Sequence, residues 1–295
     1  MNFNLKNRKD FILPAAAVLL VLLYAVSVSV QRHSSEPESF LTAFINPEKA
    51  GSLESISILA SQSGENITFV NEDGLWKSKN ILPDGSSYVF PIEQKQLVSF
   101  VDNLKNIHKL YKISYNYDVK SVAFNTEYTI FYRLSDGTET KFFLGSSDFS
   151  KTMRYVRLET GSGIFKTQDD FSRFLNASAS FWYDPFIVPR NAGNCSSPDD
   201  VSLVSLTSEG KTSSFSDSKK ISRLLDLRHG FLFPGKLPES PAEETLSVFL
   251  SDGSKITAGI YPDAGGGKII SYSFSGWFYA VRITDWTYRS IRELF

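Results

Sequence analysis

Cysteine is almost absent from this chain of 295 residues, Cys195 being the only one. No internal disulfide can form, so a folded domain has to rest on its hydrophobic core, and the chain is long enough to bury one. Cys195 lies in a polar stretch, Asn191 to Pro198, and reads as a loop residue rather than a reactive thiol. Histidine is scarce as well. His33, His108 and His229 are the full set, and none has a second ligand at metal spacing. His108 falls beside the apolar face of an expected helix and reads as a packing or surface residue. No Gly-x-Ser-x-Gly elbow is present; Gly161-Ser-Gly163 reads as a hairpin turn. Gly265-Gly-Gly-Lys268 is a poor phosphate loop, because Pro262 stands near the place of the first glycine and Ile269 replaces the Ser/Thr. A charge excess of either sign is also missing, with 31 Lys and Arg against 32 Asp and Glu. That balance argues against nucleic acid or an anionic surface as an electrostatic partner. No catalytic, cofactor-binding or metal-ligating residue is expected on these grounds, and no cofactor.

What the chain does have is a long apolar run near its start. Ile12 to Val30 carries no charge and, as a helix, spans about 28 Å, close to the hydrocarbon thickness of a bilayer. Lys6, Arg8 and Lys9 precede the run, which places residues 1–11 in the cytoplasm and exports the rest. The expectation is a single-pass inner-membrane protein with a transmembrane helix at 12–30, a tether at 31–39 and a periplasmic domain. A cleaved signal peptide is the competing reading, although its apolar core is normally shorter. Without residues Lys6, Arg8, Lys9 and Asp10 the remainder is still near neutral. Three matches to the glycosylation acceptor pattern, at Asn66, Asn176 and Asn194, carry no weight in so Ser/Thr-rich a chain.

Aromatic residues are abundant, with 24 Phe and 13 Tyr. Ile56 and Ile58, then Ile67 and Phe69, alternate on either side of a turn at Gly64, and Leu75-Trp76 follows Asp73-Gly74. This is a meander with period two. From Glu93 to Tyr111 the apolar residues Leu97, Phe100, Val101, Leu104, Ile107 and Leu110 recur at helical spacing, which predicts one helix. Tyr128, Ile130 and Tyr132 lead into a hairpin at Ser135-Asp136-Gly137. Asp169-Asp170 is read as the start of a short helix through Leu175, its carboxylates at the positive end.

The order then recurs. Leu134-Ser-Asp-Gly137 is matched by Leu250-Ser-Asp-Gly253, the helix at 93–111 by a shorter one at 218–228, and Phe171 to Leu175 by Trp286 to Ile291. The predicted fold class is α+β and strand-rich: two related lobes of antiparallel meander sheet, each with a packed helix, at residues 40–180 and 199–295. Residues 181–198 form a linker. The densest aromatic cluster, Phe181, Trp182 and Tyr183, lies there. It is read as a plug between the copies or, functionally, as an exposed protein-docking patch.

Several pieces of the first copy carry a family resemblance. They are Ile67-Thr-Phe-Val70, Gly74-Leu-Trp-Lys77, Thr129 to Gly137, Phe142-Phe-Leu-Gly145, Arg154-Tyr-Val-Arg157 and Gly163-Ile-Phe-Lys166. Together, over about residues 55–190, they resemble the bacterial domain of unknown function 4340. The resemblance implies an exported domain behind one membrane helix, acting as an auxiliary component beside ABC transporters of the gliding-motility type. It brings no catalytic residues. The expected function is a membrane-anchored binding or scaffold protein of a transporter or envelope complex, with transporter subunits or other envelope proteins as partners. The alternative is an envelope-modifying hydrolase using a carboxylate pair, which needs two Asp/Glu about 5–10 Å apart across one cleft.

Overall fold

A computed structural model describes residues 18–24, 38–81, 87–113, 124–160, 163–190, 195–228, 231–233 and 236–295. Its strands are β1 (Ser39–Thr42), β2 (Leu53–Ala60), β3 (Asn66–Glu72), β4 (Leu75–Ile81), β5 (Ser87–Pro91) and β6 (His108–Lys112). They continue with β7 (Tyr128–Leu134), β8 (Glu139–Ser147), β9 (Met153–Leu158), β10 (Ile164–Gln168), β11 (Val201–Ser208) and β12 (Lys211–Phe215). The last are β13 (Phe231–Leu232), β14 (Glu244–Leu250), β15 (Lys255–Pro262), β16 (Lys268–Phe274) and β17 (Trp277–Ile283). Helices α1 (Gln94–Lys105), α2 (Ala179–Trp182), α3 (Ser218–Asp226) and α4 (Asp285–Arg292) complete the elements used below.

All pairings are antiparallel and join into one hydrogen-bonded sheet. Its first stretch runs β1–β6–β10–β9–β8–β7–β2–β3–β4–β5. At Val89↔Phe278 it passes to β17, then to β16, β15, β14, β11 and β12, with β13 also beside β17. The pairing order β3–β2–β7–β8–β9–β10 therefore recurs as β12–β11–β14–β15–β16–β17. Both halves even slip register at the start of the strand that opens them, at Leu53/Ser55 and at Val201/Leu203. The expected division into two lobes is nevertheless corrected. The β4–β5 arm of the first half docks on the last strand of the second, and one continuous cluster of buried side chains runs from Phe44 to Leu294. Tyr183 rings against both Phe90 and Tyr279 fill that junction.

The membrane assignment is corrected too. Among the described residues no helix is long and apolar enough to cross a membrane. Of the span expected at 12–30, only 18–24 is described. It is helical and exposed. The transmembrane helix, the single-pass topology and the inner-membrane, periplasmic location lose their support with it. The rest of that segment and the tether up to residue 37 lie outside the described residues.

The helix predicted to reach residue 111 stops at Lys105. Asn106 turns to ψ 151°, and the chain continues as strand β6. Leu110 is buried from a strand and Ile107 is exposed. The helix expected after Asp169-Asp170 is only a 3-10 turn at Ser172–Phe174. The hairpin glycines do what the turns demand, with φ of 82° at Gly137 and 87° at Gly253. Leu104 and Leu225, on α1 and α3, are both buried.

Candidate binding face

Strands β6, β10, β9, β8 and β7 alternate one residue into the core and one outward, as a sheet with one solvated face must. The outward set is unusual. Register places Tyr111, Lys166 and Tyr155 side by side on three neighbouring strands. Two residues further along β6 stands Lys109, and two further along β9, in the opposite sense, stands Arg157. Lys109, Lys166 and Arg157 thus form a diagonal, each step about 7–8 Å. The side chains are laid over rings. Lys109 Nζ lies 4.9 Å from the Tyr111 centroid and Lys166 Nζ 4.8 Å from that of Tyr155. The Arg157 guanidinium lies 4.4 Å from Phe143 and 5.2 Å from Phe124. Each stack holds its cation in place and is attractive in itself.

The diagonal continues through Lys141 on β8 and Arg133 on β7, which share the outward face with Phe131. There the charge is neutralised. Lys141 pairs with Glu159 at 3.3 Å, and Arg133 pairs with Glu54 at 3.3 Å and Glu139 at 3.9 Å. Among the described residues Lys109, Lys166 and Arg157 have no such ion pair; Asp148 acts on Lys166 only through space. A groove of about 510 Å³ opens at the Lys109 end, lined by Tyr111, Lys151, Met153, Gln168 and Asp170 among others. A smaller groove, about 320 Å³, lies at the Arg133 end.

Beneath this face Arg154, pointing inward from β9, ties the scaffold together. Its Nε donates to Asp169 Oδ1 (2.9 Å) and Nη1 to Glu127 Oε2 (3.1 Å) and the Gly145 carbonyl. Nη2 donates to the hydroxyls of Ser147 and Ser172. Those hydroxyls donate in turn to Asp169 Oδ2. Burial pushes the Asp169 carboxyl up, but the hydrogen bonds from Arg154, Ser147 and Ser172 and the guanidinium charge outweigh it and hold the carboxyl below its usual range. Gly145 is needed for shape. A Cβ there would stand 3.1 Å from the Phe124 ring, 3.2 Å from the Asn125 carbonyl and 3.3 Å from Tyr155 Cβ.

The residues singled out in the sequence fall elsewhere. Trp182 is fully buried on α2, against Phe69, Phe100 and Phe181, and its indole N–H donates to the Asn176 carbonyl at 2.6 Å. Tyr183 is buried and Phe181 half-buried. They plug the core and offer no exposed patch. His108 is buried on β6, stacked on Phe171, with Nε2 2.9 Å from the Asn103 carbonyl. Gly265 to Lys268 is a turn between β15 and β16, and Lys268 is committed to Glu243. Cys195 is buried, and burial raises its thiol to about 12, so it is unreactive at neutral pH. His33, His229 and Asn191 to Asn194 lie outside the described residues. Among the described residues no group of His, Cys, Asp or Glu could hold a metal.

A second polar cluster was not anticipated. Asp184 is 2% exposed, accepts from the Phe186 N–H at 3.3 Å, and leaves Oδ2 without a partner. The hydroxyls of Tyr88 and Tyr279 are buried and unpartnered as well. Tyr272 stacks on Tyr279 with centroids 4.6 Å apart and donates to the Ile187 carbonyl. Desolvation, and then the nearby Glu93 charge, raise Asp184 to about 7.

The fold and this face define a strand-rich antiparallel sheet protein with a cationic, aromatic surface. Comparison with known proteins finds no matching family, no similar curated protein and no similar solved structure.

Proposed function

We propose that the chain is a non-catalytic binding or scaffold protein that holds an acidic partner on the outward face of β6, β10 and β9. The observation that carries this is the line of Lys109, Lys166 and Arg157, each set over an aromatic ring and none ion-paired with a carboxylate among the described residues. A protein of net charge −1 has no bulk attraction for anions, so uncompensated cations gathered on one face mark the place where an acidic partner is favoured. The resemblance to the domain of unknown function 4340 suggests the setting, an auxiliary subunit beside an ABC transporter.

The hydrolase reading has less support. Asp169 is committed to Arg154, and Asp184 is buried with no described groove at its carboxylate. The test is retention on a phosphate-bearing chromatography surface at neutral pH. The native protein is expected to be retained at low salt and the triple variant Lys109→Gln, Lys166→Gln, Arg157→Gln to pass through. Equal behaviour of the two proteins refutes the face.

A further inference from the structure

We infer that the partner on this face is a linear acidic polysaccharide, lying along the diagonal from Lys109 through Lys166 to Arg157 with a carboxylate at each cation. This rests on the binding-face reading above and narrows it. The first argument is linear repetition. Three cationic residues on three successive strands, their backbone positions about 7–8 Å apart, suit a chain that bears charge at regular intervals better than a single compact anion. The second concerns the rings. A nucleic acid held on a sheet is gripped chiefly by bases stacked on open aromatic faces. Here Lys109 and Lys166 already lie over one face of Tyr111 and of Tyr155, and Arg157 over one face of Phe143 and of Phe124. What the two tyrosines leave available is the hydroxyl, and neither hydroxyl has a hydrogen-bond partner among the described residues.

A third argument is the groove at the Lys109 end. Lys151, Thr152 and Gln168 line it together with Tyr111 and Met153, which gives a polar bed with apolar spots, as a sugar ring requires. Asp170 in that lining can accept from a sugar hydroxyl. The far end of the footprint is also set. Beyond Arg157 the next cations, Lys141 and Arg133, are held by Glu159, Glu54 and Glu139, so the acidic chain is expected to end its contact at Arg157.

The experiment measures binding of the whole protein to fluorescently labelled polygalacturonate fragments, by anisotropy at several salt concentrations. Poly-L-glutamate, oligothymidylate and neutral dextran serve as comparison probes. Polygalacturonate is expected to bind most tightly and dextran not at all. Lys166→Gln and Arg157→Gln should each weaken polygalacturonate about tenfold and flatten its salt dependence. Tyr155→Phe, which removes only a hydroxyl, should weaken polygalacturonate severalfold and leave poly-L-glutamate unchanged. Lys211→Gln, on the distant strand β12, should change nothing; a loss as large as that of Lys166→Gln overturns the placement. Circular dichroism and melting of each variant separate lost binding from lost folding. If poly-L-glutamate binds as well as polygalacturonate, or Tyr155→Phe has no effect, the saccharide is wrong and the anionic face stands. Tighter binding of oligothymidylate replaces the saccharide with a nucleic acid. If no polymer binds while the phosphate surface still discriminates the triple variant, only the present inference falls. If that discrimination is lost too, both fall.

Discussion

Replacing Asp184 with Asn should make this protein more stable at neutral pH and leave it unchanged in acid. Asp184 is buried, one of its oxygens is unpartnered, and its carboxyl is raised from the usual 3.8 to about 7. Well below pH 3.8 it is protonated in both the folded and the unfolded chain and has no effect on the balance. As pH rises toward 7 the unfolded chain ionises first while the folded one keeps its proton, so stability falls. Above pH 7 the penalty is constant. The gap between 3.8 and about 7, at about 1.4 kcal/mol per pH unit, corresponds to roughly 4 kcal/mol. Asn keeps the acceptor for the Phe186 N–H and carries no charge to desolvate. Relaxation around the ionised carboxylate reduces the gain, so roughly 2–4 kcal/mol is expected at pH 8 and close to zero at pH 4. Urea denaturation of both proteins at a series of pH values reads this difference directly. Comparing the pair cancels every other titrating group, including Asp169, whose lowered carboxyl works in the opposite direction. A difference that does not vary with pH, or an Asn variant less stable at pH 8, refutes the reasoning.

Arg154→Met should cost about 3–5 kcal/mol at neutral pH, because it strands the buried Asp169 carboxylate. The loss should shrink as the solution is acidified and Asp169 takes up a proton, which denaturation at pH 7 and pH 4 will show; an equal loss at both values counts against the charge argument. Trp182→Ala should lower stability by about 3–5 kcal/mol without changing the salt at which the folded protein leaves a phosphate surface. A shifted elution with unchanged stability would return the aromatic cluster to the list of contact sites.

Much of the strand meander was legible because its signals are local. Asp136-Gly137 and Asp252-Gly253 announce hairpins through the backbone they require, and both glycines adopt positive φ. The overrun of the helix past Lys105 has an equally local cause. Leu104, Ile107 and Leu110 keep helical spacing, yet Leu110 reaches the core from a strand. Periodicity records which residues are apolar and is blind to the break at Asn106. The binding face was hidden for another reason. Alternation shows that Tyr155 and Arg157 point the same way, but only the pairing of β9 with β10, and of β10 with β6, brings Lys166 and Lys109 beside them. Net charge hid it further, since cations on one face were cancelled in the sum by carboxylates elsewhere. Aromatic density at Phe181 to Tyr183 did not separate a core plug from a surface patch, because both need large apolar side chains. The two-lobe expectation failed at β5, whose partner β17 lies at the other end of the chain.

That last pairing bears on how the protein is made. A ribosome delivers the chain from its N-terminus, so β5 emerges long before the strand that will lie against it. Until β17 arrives, the outer edge of β5 is unpaired and the rings of Tyr88, Phe90 and Tyr183 lack the wall that Tyr279 supplies. An unpaired edge beside exposed rings is a template for association with other unfinished chains. Closing so long a loop comes late in folding, since its entropy is lost before the contact rewards it. Nascent chains that stop short of Trp277 are therefore the species most in need of a chaperone.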